Sequence, residues 1–237
     1  MTSRRTVSGG NRAAITVCVM LATLMQALDT TIANVALPYI QGSVSATQDQ
    51  IAWVLTSYIV AAAIMTPPTG FLAARFGLKG LFLTAVAGFT IASMLCGMAQ
   101  SLVQIVLFRI LQGAFGAALV PLSQSVLLTI YPPERQGSAM AMWGVAVMAG
   151  PILGPVLGGW LTENYSWRYV FYINVPIGLL CFLGMRAFLT DTARNAHEKL
   201  DWFGFGTLSL GIGACRCCST AGKSSIGLAP MRSSSSR

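Results

Sequence analysis

Charge is what this sequence has least of. Only 9% of its 237 residues are Asp, Glu, Lys or Arg, against about 25% in an ordinary soluble domain. Histidine is almost missing as well: His197 stands alone, in a loop where solvation accounts for it. No nucleophile, metal-ligating cluster or phosphate-cradling loop accompanies it, which argues against an enzyme and predicts neither a metal nor an organic cofactor. The formal charge of +8 is not gathered into a basic stripe with interleaved aromatics, so nucleic acid is excluded as a partner. A disulfide framework is absent too. Cys18, Cys96 and Cys181 are spread singly through apolar runs, where a thiol behaves as a small hydrophobe, and Cys215, Cys217 and Cys218 crowd together without the second ligand pair of a zinc site.

Long apolar runs are what the chain has instead. Hydrophobic residues make up 54% and mean hydropathy is +0.67. The runs are approximately Ala13 to Ile40, Ile51 to Ala73, Leu81 to Ala99, Leu102 to Ile130, Ala139 to Leu161 and Val170 to Leu189. Each approaches or exceeds the roughly 20 residues that a helix needs to cross hydrocarbon. Barrel strands would alternate with period two, so the fold class predicted is an all-α membrane protein with a six-helix bundle. Residues 1–12 then form a tail, 13–190 the bundle and 191–202 a loop. Residues 203–214 begin a seventh helix that stops after about a dozen residues, too few to span, and 215–237 form a tail of different composition. Arg4, Arg5, Arg12, Arg75, Lys79, Arg135, Arg186, Arg194 and Lys199 fall on one side of these spans and only Arg168 on the other. By the positive-inside rule the N-terminus is expected in the cytoplasm.

Four segments carry chemistry. LDTTIANVALP (Leu28 to Pro38) puts Asp29 at membrane depth. An ionised carboxylate there is costly unless it meets a partner or a wet cavity, and it can hold a proton. The plainer reading is that Thr30, Thr31 or Asn34 satisfies it locally. GFLAARFGLKG (Gly70 to Gly80) reads as a tight cytoplasmic turn, its glycines letting two helix ends approach and Arg75 and Lys79 anchoring at headgroups. LFRILQGAFGAA (Leu107 to Ala118) places Arg109 inside the fourth span, with Gln112, Gly113 and Gly116 following at helical spacing. Arg109 is the obvious candidate partner of Asp29, although spacing leaves open whether they touch. GVAVMAGPILGPVLGGWL (Gly144 to Leu161) sets Gly150, Gly154 and Gly158 four apart on one helix face with Pro151 and Pro155 beside them. Such a seam lets a neighbouring helix pack closely, and the prolines favour bending.

In this order the four motifs resemble the major facilitator superfamily, and within it the EmrB/QacA drug:proton antiporters of fourteen spans. WRYVFYINVPIG (Trp167 to Gly178) resembles the approach to helix six in that subfamily. The resemblance covers about residues 13 to 214. In the loop motif Gly70, Arg75, Gly77 and Lys79 are kept, but Ala74 and Leu78 stand where the superfamily has an acidic and a further basic residue.

The resemblance implies a multidrug exporter of a bacterial inner membrane, driven by the proton gradient, with Asp29 and Arg109 in proton coupling. Thr30, Asn34 and Gln112 would line the substrate cavity. Gly144, Gly150, Pro151, Gly154, Pro155, Gly158 and Gly159 would form the antiporter motif of helix five. The implied partners are drug-like small molecules and the lipid bilayer, with room for a periplasmic adaptor protein. In such folds inverted three-helix repeats put helices one and four in equivalent places, and the two halves rock about a midplane site. Two other readings stand beside this one: the same fold moving an amino acid, siderophore or metabolite, and a fragment that transports nothing. The change of composition after Ala214 leads to a further expectation, that a frameshift inside helix seven replaced the rest of a longer transporter. Back-translation with GC-rich codons and a shift of one base yields an apolar continuation. Reading the source DNA tests this, and the absence of a long open frame one base away would sink it.

Overall fold

A computed structural model describes residues 9–189 and, isolated beyond them, Thr207. The expectations for residues 1–8, for the loop with His197, for the seventh helix and for the tail lie outside the described residues. The described chain is helical throughout: α1 (Gly9–Val44), α2 (Gln48–Met65), α3 (Thr69–Phe76), α4 (Leu78–Met98), α5 (Leu102–Gly116), α6 (Leu119–Ile130), α7 (Pro133–Asn164), α8 (Tyr169–Tyr172) and α9 (Asn174–Phe188).

These helices assemble into six lengths able to cross a bilayer: α1, the bent pair α2 and α3, α4, the run α5 to α6, α7, and the run α8 to α9. The second span is not the straight helix that its apolar run suggests, because α3 departs from α2 by 57°. Pro67 and Pro68 fall at that bend, where proline removes a main-chain donor and its ring obstructs the preceding turn. Helix starts follow local chemistry. Thr47 and Gln50 form a reciprocal capping box at α2, and Pro133 opens α7, where a missing N–H costs nothing. The fifth span, α7, then continues through both Pro151 and Pro155 as one element.

Large apolar side chains face outward all round. Val103, Val145, Ile152 and Val156 are each 68% exposed, which water would penalise and lipid tails would not. Trp160, Tyr165, Tyr169 and Tyr172 form a chain of rings at one end, with successive centroids 5.3 to 5.9 Å apart, as expected of an interfacial aromatic belt. Inside, the apolar core is divided in two. Val19, Phe82, Leu122, Val126 and Met185 belong to one cluster, while Ile32, Ile40, Ile105, Val170 and Phe171 belong to the other. Asp29, Ser93, Arg109, Gln112 and Asn174, all buried, fall along their helices between the two clusters.

Both ends of the bundle are tied by cations on carbonyls. Lys79 Nζ donates to the Arg186 carbonyl at 3.0 Å, joining the start of α4 to the end of α9. At the opposite end Arg168 Nη1 donates to the carbonyls of Gly97 and Ala99 at 2.8 and 2.6 Å and its guanidinium lies over Trp167. Of the loop glycines, Gly77 makes the turn, with φ at 86°, a value that suits glycine best. Gly70 and Gly80 lie within α3 and α4 and have open space where a Cβ would stand, so they bring no helix ends together. Arg75 stacks on Phe71 at 5.9 Å.

Candidate functional site

The buried stripe of α1 runs Met25, Leu28, Ile32, Ala33, Ala36 and Ile40, and Asp29 interrupts it. On α5 the residues Ile105, Arg109, Gln112, Gly113 and Gly116 share the buried face, as spacings of three and four require. Gly113 decides how near α5 comes to α2: a Cβ there would overlap the Tyr58 carbonyl oxygen. That close approach carries Arg109 beneath α2 and into the centre of the bundle.

There the two charges meet. Arg109 Nη1 donates to Asp29 Oδ2 at 2.7 Å, and both side chains are wholly buried. The same nitrogen donates to Gln112 Oε1 at 2.9 Å, while Arg109 Nε donates to the Val54 carbonyl at 3.3 Å. The guanidinium lies 4.2 Å from the Tyr58 ring centroid and 5.7 Å from that of Phe171, within cation–π range. Asp29 Oδ1 accepts from Gln112 Nε2 at 2.7 Å and from Asn174 Nδ2 at 3.1 Å. Asn174 Nδ2 donates as well to Ser93 Oγ at 2.9 Å, and Ser93 in turn donates to the Phe171 carbonyl at 2.9 Å. Four of the six spans thus meet at one carboxylate and one guanidinium, and α4 joins them through Ser93 on Asn174 and Cys96 on Gln112. A buried pair of this kind holds only when the remaining lone pairs and protons find partners, and here nearly all do. The exceptions are Arg109 Nη2 and Asn174 Oδ1, buried without a hydrogen bond.

Several sequence-based expectations change here. Asp29 takes no bond from Thr30, Thr31 or Asn34: Thr30 donates to Ala27, Asn34 to Thr30, and Thr31 to the carbonyls of Ala27, Leu28 and Gly150. A short hydroxyl on a helix reaches the carbonyl three or four residues back more readily than a side chain beside it. Gln112 is fully buried and bonds both members of the ion pair. Thr30 is half-buried and Asn34 exposed. Ser93 and Tyr58 escaped sequence reasoning altogether, and Asn174 lay within WRYVFYINVPIG without being singled out. The available signal was Asn174 itself, an amide within the apolar run FYINVPIGLL.

The helix-five seam is divided as well. Gly150, Gly154 and Gly158 face α1, where an added Cβ would come within 2.5 Å of the Ala27 Cβ, would overlap Thr31 Oγ1, or would come within 2.9 Å of Ile32 Cγ1. Thr31 Oγ1 donates to the Gly150 carbonyl at 3.3 Å across that contact. Pro151 and Pro155 are exposed, and Gly144 and Gly159 have nothing within 4 Å of a Cβ position.

A family comparison agrees with this architecture: the sequence model of the Major Facilitator Superfamily matches residues 19–229. The chain belongs to that superfamily. The match continues past Ala214, where composition changes. Among curated proteins, this superfamily member is 45% identical over 208 residues to the multidrug export protein EmrB of Haemophilus influenzae, covering 87% of this chain and 41% of that one. It is 43% identical over 218 residues to the fatty acid resistance protein FarB of Neisseria gonorrhoeae, covering 92% and 43%. These similarities place it with the EmrB-type members, and it spans about two-fifths of their length. Among solved structures it superposes on a peptide transporter with a TM-score of 0.68 at 12% identity, covering 86% of this chain and 44% of that one. A bacterial homologue of the human lysosomal transporter Spinster, inward-facing and occupied, gives a TM-score of 0.67 at 21% identity, covering 83% and 48%. At such identities the likeness concerns the fold. The chain is a multi-pass membrane protein of a transporter family.

Proposed function

We propose that this chain is the first half of a proton-coupled drug exporter, in which Asp29 takes up and releases a proton as hydrophobic or cationic compounds leave across a bacterial inner membrane. The observation that carries the reading is the Asp29 to Arg109 ion pair, wholly buried at the level where the two apolar clusters divide. A carboxylate retained in such a place against its desolvation cost needs a task, and a change of protonation is the chemistry available to it. Arg109, with Gln112 beside it, holds the ionised form in place; a proton on Asp29 loosens that hold and lets α1 and α5 shift relative to each other. No organic cofactor enters, the proton gradient being the source of energy, and no enzymatic step is involved. The names of the relatives, a multidrug export protein and a fatty acid resistance protein, support apolar small molecules as substrates. We place the N-terminus in the cytoplasm, because Arg12, Arg75, Lys79, Arg135 and Arg186 gather at one end of the bundle and Arg168 stands at the other. We propose a periplasmic adaptor as a partner as well, from the EmrB likeness.

The test is a competition between drug and proton. With the chain in lipid vesicles and weak buffer, at a pH low enough for Asp29 to carry its proton, adding ethidium should release protons from the wild type and none from Asp29→Asn. Equal release by both proteins would refute the assignment of Asp29. Dye movement driven by an imposed pH gradient in the same vesicles separates an exporter from a fragment that binds without transporting, a reading that the two-fifths coverage of the relatives keeps in view. Competition by amino acids or siderophores in place of ethidium would favour the other solute classes.

A further inference from the structure

A carboxylate and a carboxylic acid need different neighbours, and Asp29 has two amides beside it. We propose that Asn174 reads the proton on Asp29. It donates to the ionised carboxylate and turns its amide to accept from the protonated acid; the inference rests on Asp29 being the proton site.

Three contacts surround the carboxylate. Oδ2 faces the Arg109 guanidinium at 2.7 Å, so an arriving proton settles on Oδ1. That oxygen accepts from Gln112 at 2.7 Å and from Asn174 at 3.1 Å, the second being the longer contact. Once protonated, Oδ1 becomes a donor pointing at an N–H, and one amide must present its oxygen instead. Gln112 is not free to do so. Its Oε1 already accepts from Arg109 Nη1 at 2.9 Å and from Cys96 Sγ at 3.5 Å. Asn174 Oδ1 is buried with no partner, so Asn174 can turn without giving up any bond to its oxygen. With Asp29 ionised the observed orientation is the only favourable one, since the reverse would set an amide oxygen against the carboxylate.

The turn has somewhere to go. Asn174 Nδ2 also touches Ser93 Oγ, whose hydroxyl now donates to the Phe171 carbonyl. When the amide oxygen takes the place of Nδ2, that hydroxyl can swing from Phe171 to Asn174. Ile173 joins α8 to α9 with helical dihedrals, and Asn174 is the first residue of α9 in one continuous span. A proton bound on α1 therefore changes which groups bond the main chain of span six at Phe171. The other titratable or charged groups facing Asp29 are Arg109 from α5, Tyr58 from α2 and Cys96 from α4; α7 presents Gly150 and Gly154 to the neighbouring turns of α1. Tyr58 accepts from Gln26 at 3.4 Å and the Cys96 thiol donates to Gln112; a phenol and a thiol that keep their own protons are far weaker bases than a carboxylate, so neither receives the carboxyl proton. Apart from the proton gained from water, no covalent bond changes.

Infrared difference spectroscopy between high and low pH tests this on the chain in lipid, with asparagine carrying 13C in its side-chain amide. The wild type should gain a carboxylic acid band that Asp29→Asn lacks, and an asparagine amide band should change with the same pH midpoint. In Asn174→Ala that amide change should disappear, and the acid band should move to higher wavenumber because its O–H has lost an acceptor. An acid band with no asparagine change following it would overturn the role of Asn174 while leaving Asp29 as the proton site. If no acid band depends on Asp29, both readings fall. The paired bands of the wild type decide the matter even should Asn174→Ala not fold.

Discussion

Helix α1 is held on two sides by opposite means. Toward α5 and α9 it is held by what Asp29 attracts: a guanidinium, two amides and, through them, a serine and two main-chain carbonyls. Toward α7 it is held by what is missing, three glycines whose lack of side chains lets Ala27, Thr31 and Ile32 approach the backbone. The first contact depends on charge state and can be rewired by one proton. The second depends on volume, is indifferent to pH, and gives α1 a smooth surface against which to shift. A helix that must answer a proton yet remain packed in lipid needs both, since no hydrophobic force between helices would hold it there.

The largest expected effect comes from removing one charge of the pair. Arg109→Ala leaves Asp29 buried beside amides alone, and should cost about 3–5 kcal/mol, the usual penalty of orphaning a buried ion. Unfolding of the helical signal in mixed micelles measures it. Arg109→Lys should fall between, because an ammonium keeps the charge but loses the Nε bond to Val54 and the planar stacking on Tyr58. A lysine as stable as arginine would mean that charge alone holds this side of α1.

The opposite side should fail by crowding. Gly154→Val drives a branched side chain into Thr31, and should cost about 1–3 kcal/mol as overpacking does. Combining Gly154→Ala with Thr31→Ala should recover part of the loss of Gly154→Ala alone, since the obstructing hydroxyl is gone; simple additivity of the two would show that the residues do not meet.

How far the sequence foretold this asymmetry depends on the kind of contact. The six spans were legible because burial in lipid demands unbroken apolar runs, and Asp29 and Arg109 because a charge inside such a run is conspicuous. Their mutual contact was not, as helices one and four are separated by some eighty residues and pair only through the folded bundle. Gln112 was assigned to a cavity through the family resemblance, which says which helices line a cavity but not which neighbour claims an amide on them. Asn174 was passed over because an uncharged amide in a membrane helix costs little by itself; its weight comes from standing opposite Asp29. The bend after α2 could be read in Pro67 and Pro68, yet hydropathy, which averages over a window, ran straight through it.

A smaller effect sharpens the contrast between charged and uncharged ties. Arg168 is half-buried and bonds only carbonyls, so it carries no buried partner charge. Arg168→Ala should cost about 1 kcal/mol, less than a fully buried charged hydrogen bond would because water competes at the bundle's end. The same micelle unfolding reads it, and a loss as large as that of Arg109→Ala would erase the distinction between the middle layer and the outer end.

The smallest effect bears on the glycines of α7 that touch nothing. Gly144→Ala and Gly159→Ala add a methyl to open space, and removing a helical glycine should leave stability unchanged or raise it by up to about 1 kcal/mol. Gly150→Ala, whose Cβ would stand 2.5 Å from that of Ala27, should lower it. The same substitution in one helix thus reverses sign according to the face it occupies. If all three alanines destabilised alike, α7 would owe its glycines to its own backbone and not to α1, and the steric half of the comparison would be lost.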